Sequence, residues 1–170
     1  MLRQLKGLNM KSTILVITLL SVLTSCLSLE APFCSQNTLS DIQNFEGNYS
    51  TTAHGTELKL KVEKKGNALY QMSSQTSDGQ SEVMLVNTCQ VNGRFFIEEK
   101  TEGLYTINEI RVRKNQMIMS VHTADESMLD RNDVTYTNDY AMITIDNSDL
   151  SASELLKYIV RAHDFYFERD

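Results

Sequence analysis

The sequence predicts a mainly β protein: an antiparallel up-and-down meander that closes into a roughly eight-stranded barrel and ends in a C-terminal α-helix. Three observations carry that prediction: turn dipeptides at fairly even spacing, apolar residues that alternate between them, and a helix-start signal near the end. Closure follows from the strand number, because an open meander of this length would leave unpaired edges that invite aggregation.

The turn signals are His54-Gly55, Lys65-Gly66, Asp78-Gly79, Asn92-Gly93, Glu102-Gly103 and Lys114-Asn115. Asn-Gly and Asp-Gly are the strongest, because their second residue readily takes the positive φ that a type I′ hairpin turn requires. Between the turns, Glu57 to Val62 alternates charged and apolar residues, which puts Leu58, Leu60 and Val62 on one face and Lys59 and Lys61 in water. The same reading groups Ala68, Tyr70 and Met72, then Val83, Leu85, Cys89 and Val91, then Phe95 and Ile97. Further on it groups Ile110 and Val112, then Met117, Met119 and Val121. A last strand is predicted from about Val134 to Ile145, with a bulge near Asn138 where the apolar parity changes. Ser151 and Glu154 then form a capping box, flanked by Leu150 and Leu155 at hydrophobic-staple positions. Leu155, Leu156, Ile159, Val160 and His163 recur at helical spacing, predicting a helix packed on the outside or open end of the barrel. Asp164 to Asp170 is compatible with more helix or with an extended segment.

The chain starts with Arg3, Lys6 and Lys11 around an apolar run, Ile14 to Leu20, and has no acid before Glu30. That run is about half of the ~20 residues a permanent span needs, so a secretory signal is predicted, with Met10 as an alternative start. Leu23-Thr24-Ser25-Cys26 resembles the lipobox of bacterial lipoproteins. The resemblance implies cleavage before Cys26, acylation of its sulfur and an anchor in the cell envelope. Leu27 in place of an Asp after the cysteine implies transfer to the outer membrane in a cell that has one. The expected organisation is therefore a signal peptide over 1–25, a lipidated tether over 26–44 and one barrel domain with its C-terminal helix over 45–170.

Removing Arg3, Lys6 and Lys11 from the 16 Lys+Arg leaves 13 against 22 Asp+Glu, a formal net charge of −9. A chain so acidic is not a nucleic-acid binder, which needs clustered positive charge. With Cys26 committed to lipid, Cys34 and Cys89 remain as an even pair in an oxidising compartment, and a disulfide is expected. Such a bridge would leave Cys26 to Cys34 as the mobile link and lay Ser35 to Asn44 against the barrel. The competing reading is a free Cys34 thiol and a Cys89 that is simply a small buried residue.

At the first strand, Phe45-Glu46-Gly47-Asn48-Tyr49 resembles the G-x-W motif of lipocalins with Tyr49 in the tryptophan position. Thr137-Asn138-Asp139-Tyr140 looks like a stretched form of their T-D-Y motif. The resemblance implies a lipocalin-like barrel with a cavity for a small apolar molecule. Its walls would come from Tyr70, Met72, Phe95, Ile97, Met117, Met119, Tyr136 and Tyr140, since methionines and aromatics make adaptable pocket linings. The same residues make cores equally well.

Catalytic chemistry finds no constellation. His54, His122 and His163 lack metal-ligand spacing, and there is no G-x-S-x-G elbow, phosphate loop or C-x-x-C pair. Asp125 to Asp133 is rich in oxygen ligands but lacks the alternation and central glycine of a calcium loop, so a solvated acidic loop is expected. Neither a metal nor a cofactor is predicted. The expected function is non-catalytic: a lipid-anchored barrel that binds a small apolar ligand or lipid. The alternative is a protein-interaction or envelope-assembly module with a solid barrel.

Overall fold

A computed structural model describes residues 27–53, 55–139 and 142–170; the predicted signal peptide, Cys26, His54 and Tyr140 lie outside the described residues. Seven strands follow one another as an antiparallel meander: β2 (Gly47–Ala53), β3 (Thr56–Gly66), β4 (Leu69–Thr76), β5 (Ser81–Val91), β6 (Arg94–Thr101), β7 (Leu104–Arg113) and β8 (Gln116–Ala124). The eighth is β11 (Ile159–Arg169), which pairs with β8 along its length and closes on β2 through Glu168↔Ser50 and Arg169↔Tyr49. The barrel is thus closed and eight-stranded.

The hairpin chemistry explains the sharp reversals. Asn92 and Gly93 both have positive φ, 50° and 75°, as do Glu102 and Gly103 at 53° and 91°, the backbone that a type I′ turn demands. The turn expected at Lys65-Gly66 falls instead on Asn67-Ala68, after an irregularity in the β3–β4 ladder between Lys64 and Gly66. At the closing seam, Gly47 is fixed by a close approach, because a Cβ there would lie 3.0 Å from the Arg169 guanidinium. That guanidinium also sits over the Tyr49 ring at 5.7 Å.

Two cores share the barrel wall. Inside, Tyr49, Leu58, Leu60, Val62, Tyr70, Met72, Val86, Ile97, Ile110, Met117, Met119 and Phe167 pack together, with Ile42 and Phe45 entering from the N-terminal segment. A second cluster on the outer wall gathers Phe96, Ile107, Cys89 and Val91 against Leu27, Leu29, Phe33, Ile143, Ile145, Leu155 and Ile159. The wall can serve both because alternate residues of each strand point to opposite sides.

The structure corrects several sequence expectations. The predicted C-terminal helix starts as expected, with Ser151 and Glu154 forming the full capping box, but it is one turn long, Ala152–Leu155, labelled α2. From Ile159 the chain is a strand. Phe165 and Phe167 alternate inward, and the gap between β8 and β2 supplies a hydrogen-bonded partner on each side, a stronger constraint than four residues of helical spacing.

The strand predicted over Val134–Ile145 is a hairpin, β9 (Tyr136–Asp139) and β10 (Met142–Ile145), so the parity change marks a chain reversal instead of a bulge. The acidic segment is not a loop throughout: Asp125 caps a short helix, α1 (Glu126–Arg131), accepting from the Met128 N–H. The segment assigned to a tether is structured as well. Leu27–Leu29 forms β1, antiparallel to β7 and parallel to β10, and Leu39 bridges Cys89.

Candidate interaction surface

Five of the eight residues predicted to line a cavity, Tyr70, Met72, Ile97, Met117 and Met119, are buried together inside the barrel, and Phe95 packs against them. The void bounded by Met72, Met84, Val86, Ile97, Glu99, Thr106, Asn108 and Met119 measures about 10 Å³, room for about one water. Tyr136 sits on β9 against the outer core, its hydroxyl donating to Asp130 at 3.0 Å, and Tyr140 is not described. Tyr70 has a fixed task as well. Its hydroxyl donates to Asp41 at 3.2 Å, and burial followed by the Asp41 charge pushes its pKa up to about 12. Asp41 also accepts from the Ala68 N–H at 3.0 Å and pairs with Lys64 at 2.6 Å, which stitches the N-terminal segment across that end of the barrel.

At the other end β5 and β6 part. Their pairing runs from Val91↔Arg94 to Val86↔Glu99 and stops there, while β5 continues back to Ser81 paired with β4 alone. Ser81 to Leu85 is therefore an open edge: among the described residues no strand bonds its second side. Val83 is 63% exposed and Leu85 57%, on the outward face, while Met84 and Val86 turn inward. Sequence alternation groups Val83, Leu85, Cys89 and Val91 correctly on one face. That face is the outside of the wall, covered by the N-terminal segment at Cys89 and Val91 and bare at Val83 and Leu85. Glu99 lies at the parting, its pKa raised by burial and then by the Glu82 charge.

The outer wall of β7, β8 and β11 carries a buried ion cluster that alternation alone did not reveal. Glu109 is nearly inaccessible and meets Arg94 at 2.5 Å, Arg161 at 3.3 Å and the His122 ring at 3.7 Å. Burial pushes the Glu109 carboxyl up, but the two guanidinium groups outweigh it and hold the pKa below the ordinary carboxylate range. One step along, Asp164 accepts from Ser120 at 2.6 Å and pairs with Arg111 at 3.1 Å. Burial lowers the His122 pKa to about 4 despite Glu109, so the imidazole is neutral at pH 7. His163, on β11, is exposed and packs its ring edge-on to Phe165 at 4.6 Å.

Cys34 and Cys89 lie at disulfide distance, their Cα atoms 5.5 Å apart, inside the window of roughly 4.4 to 6.8 Å for a bridge. Beside them the buried Glu98 accepts the backbone N–H groups of Phe33 at 2.5 Å and Cys34 at 2.9 Å, and burial raises its pKa against those bonds. Among the described residues no group of three or more His, Cys, Asp or Glu could hold a metal ion, and no helix is long and apolar enough to cross a membrane. The carboxylates of the acidic segment are engaged locally, Asp125 in capping and Asp130 with Tyr136.

No protein-family model matches the chain, and neither a curated protein nor a solved structure does.

Proposed function

We propose that the chain is a non-catalytic, lipid-anchored bacterial envelope protein that acts as an interaction module, docking an extended segment of a partner protein on the open edge of β5. The lipobox-like Leu23 to Cys26 supports the anchor and the address. The single observation that carries the docking reading is the edge itself. Five consecutive residues, Ser81 to Leu85, are hydrogen-bonded on one side only and display two exposed apolar side chains. Unpaired edge groups are satisfied by an added strand, with main-chain bonds giving affinity and alternate side chains giving specificity.

A small-ligand carrier needs an enclosed cavity of roughly 300 Å³ or more; the void described inside the barrel holds about 10 Å³, and the hollow of about 430 Å³ beside Lys59, Ser73, Gln75 and Val83 is open to solvent on the outer wall. The filled barrel therefore favours a scaffold over a carrier. The test is a photoreactive amino acid placed at Val83 or Leu85 in cells, with Lys59 on β3 as control. One discrete adduct from the β5 positions and none from the control is expected. Equal labelling at Lys59, or a stoichiometric apolar compound found by native mass spectrometry of gently extracted protein, would overturn the reading.

A further inference from the structure

The same anchor, combined with where β1 begins, fixes how the barrel stands on the membrane. Leu27, the first residue after Cys26, is already fully buried in β1, between β7 and β10. The register Leu29↔Tyr105 and Ser28↔Thr106 carries Leu27 alongside Ile107, and both belong to the outer core. A trans peptide bond holds consecutive Cα atoms about 3.8 Å apart. A free tether over 26–44 would instead reach up to roughly 60 Å when extended. Cleavage before Cys26 thus leaves one peptide link between the acylated residue and a strand locked in the fold.

The wall around that point is unlike the rest of this acidic chain. On one side of Leu27 stands Met142, an apolar side chain 39% exposed, which closes the β9–β10 hairpin opposite Asp139. On the other side, two residues further along β7, Glu109 draws in Arg94 and Arg161, and Arg111 pairs with Asp164. With Asp139 opposite Met142 and Glu126 bonded to Asn138, the three guanidinium groups meet four carboxylates, so this wall is close to charge balance where the processed chain as a whole carries −9. Phospholipid headgroups of a bacterial membrane are neutral or anionic, so a wall near charge balance approaches them at less cost than the acidic remainder, which is repelled within a Debye length.

We propose that the side wall where β1 begins, and neither mouth of the barrel, rests directly on the phospholipid leaflet with no spacer. The inference depends on the lipid-anchor reading above. It turns β3, the strand opposite β7 in the closed barrel, away from the bilayer.

The chain has no tryptophan, so single-tryptophan reporters are clean. Full-length acylated protein carrying Met142→Trp, Asp139→Trp or, on the opposite wall, Lys61→Trp is reconstituted in vesicles of phosphatidylethanolamine and phosphatidylglycerol with brominated acyl chains. Several-fold stronger quenching at positions 142 and 139 than at 61 is expected, with the contrast lost when a long Gly-Ser linker is inserted between Cys26 and Leu27. Equal quenching at all three positions, or a contrast that survives the linker, overturns the inference while leaving the anchor intact. The mass of the N-terminal peptide separates the two: an unmodified Cys26 overturns the anchor reading and this inference together.

Discussion

Inside the barrel, Met72, Ile97, Met117 and Phe167 meet apolar neighbours across the axis, whereas on the outer wall Glu98, Glu109 and His122 are buried among polar partners. The two regions use opposite faces of the same strands. The interior is assembled mostly by the sequential meander β2 to β8, with β11 closing it, so apolar area and good packing go far to specify it. The outer core must hold a returning N-terminal segment and a distant hairpin in place, and directional bonds to specific atoms do that better than apolar contact. Substitutions can test whether the outer core is as dependent on its polar and covalent clips as this comparison implies.

The largest effect is expected from the cysteines. Replacing both Cys34 and Cys89 by serine opens a loop spanning a separation of 55 residues, about 4 kcal/mol in the chain-entropy model. Urea unfolding of the oxidised and doubly substituted proteins should show that difference, and thiol labelling of denatured, unreduced protein should find neither cysteine free. A loss under 1 kcal/mol would mean that the N-terminal segment is held mainly by its other contacts. Next in size is Glu98→Ala, which leaves the Phe33 and Cys34 N–H groups buried without an acceptor, for about 3 kcal/mol. Glu98→Gln keeps an acceptor oxygen and sheds the cost of a buried charge, so it should lose far less. Equal losses in the two variants would show that packing, and not the pair of N–H bonds, is what Glu98 supplies.

These clips also mark where the sequence stopped being informative. Leu58, Leu60 and Val62 announce their face because one side of β3 meets only water, so alternation and burial coincide. On β5 the alternation is just as clear, yet Val83 and Leu85 are bare while Cys89 and Val91 are buried on the same side. The cover comes from residues some fifty positions earlier, which no local pattern encodes. At the C-terminus two true local signals conflict. The Ser151 box does start a helix, but Phe165 and Phe167 with period two, and the unfilled seat between β8 and β2, end it after one turn. The buried ion cluster was illegible for a related reason: Arg94, Glu109, His122 and Arg161 come together only through the registers of four strands.

A third, intermediate effect separates the outer wall from the interior by pH. His122 is folded in the neutral form with its pKa lowered to about 4, against 6.5 when unfolded. The unfolded chain then binds more protons over that window, so stability is full above pH 6.5 and falls as pH drops toward 4. The gap between 6.5 and about 4 allows a loss of up to about 3 kcal/mol, and about 2 is expected once relaxation of the wall is allowed for. Denaturation midpoints from pH 7 to pH 4 should flatten in His122→Gln relative to the parent. An unchanged slope would assign the acid sensitivity to other groups.

The smallest effect belongs to the inner face, where Glu99 is the counter-case to Glu109. Both carboxylates are removed from water, but Glu109 has two arginines and its pKa falls, while Glu99 has the Glu82 charge nearby and its pKa rises. A raised folded pKa means that the folded state holds its proton more tightly than the unfolded one. Stability contributed by Glu99 is thus present at low pH and lost as pH rises from 4.5 through the folded value. At pH 7 burial and the Glu82 charge make this carboxyl a net cost to the folded state. Glu99→Gln keeps the size and the hydrogen-bonding end and removes the charge, so it should stabilise the protein at pH 7, by up to about 1 kcal/mol after discounting for the water that reaches this end of the barrel. Below pH 4.5 the advantage should vanish, because both side chains are then neutral. Thermal unfolding of the two proteins at pH 7 and pH 4 reads the difference directly. A variant less stable at both values would show that the Glu99 carboxylate is compensated inside the barrel after all, and the contrast between the two faces would lose its electrostatic half.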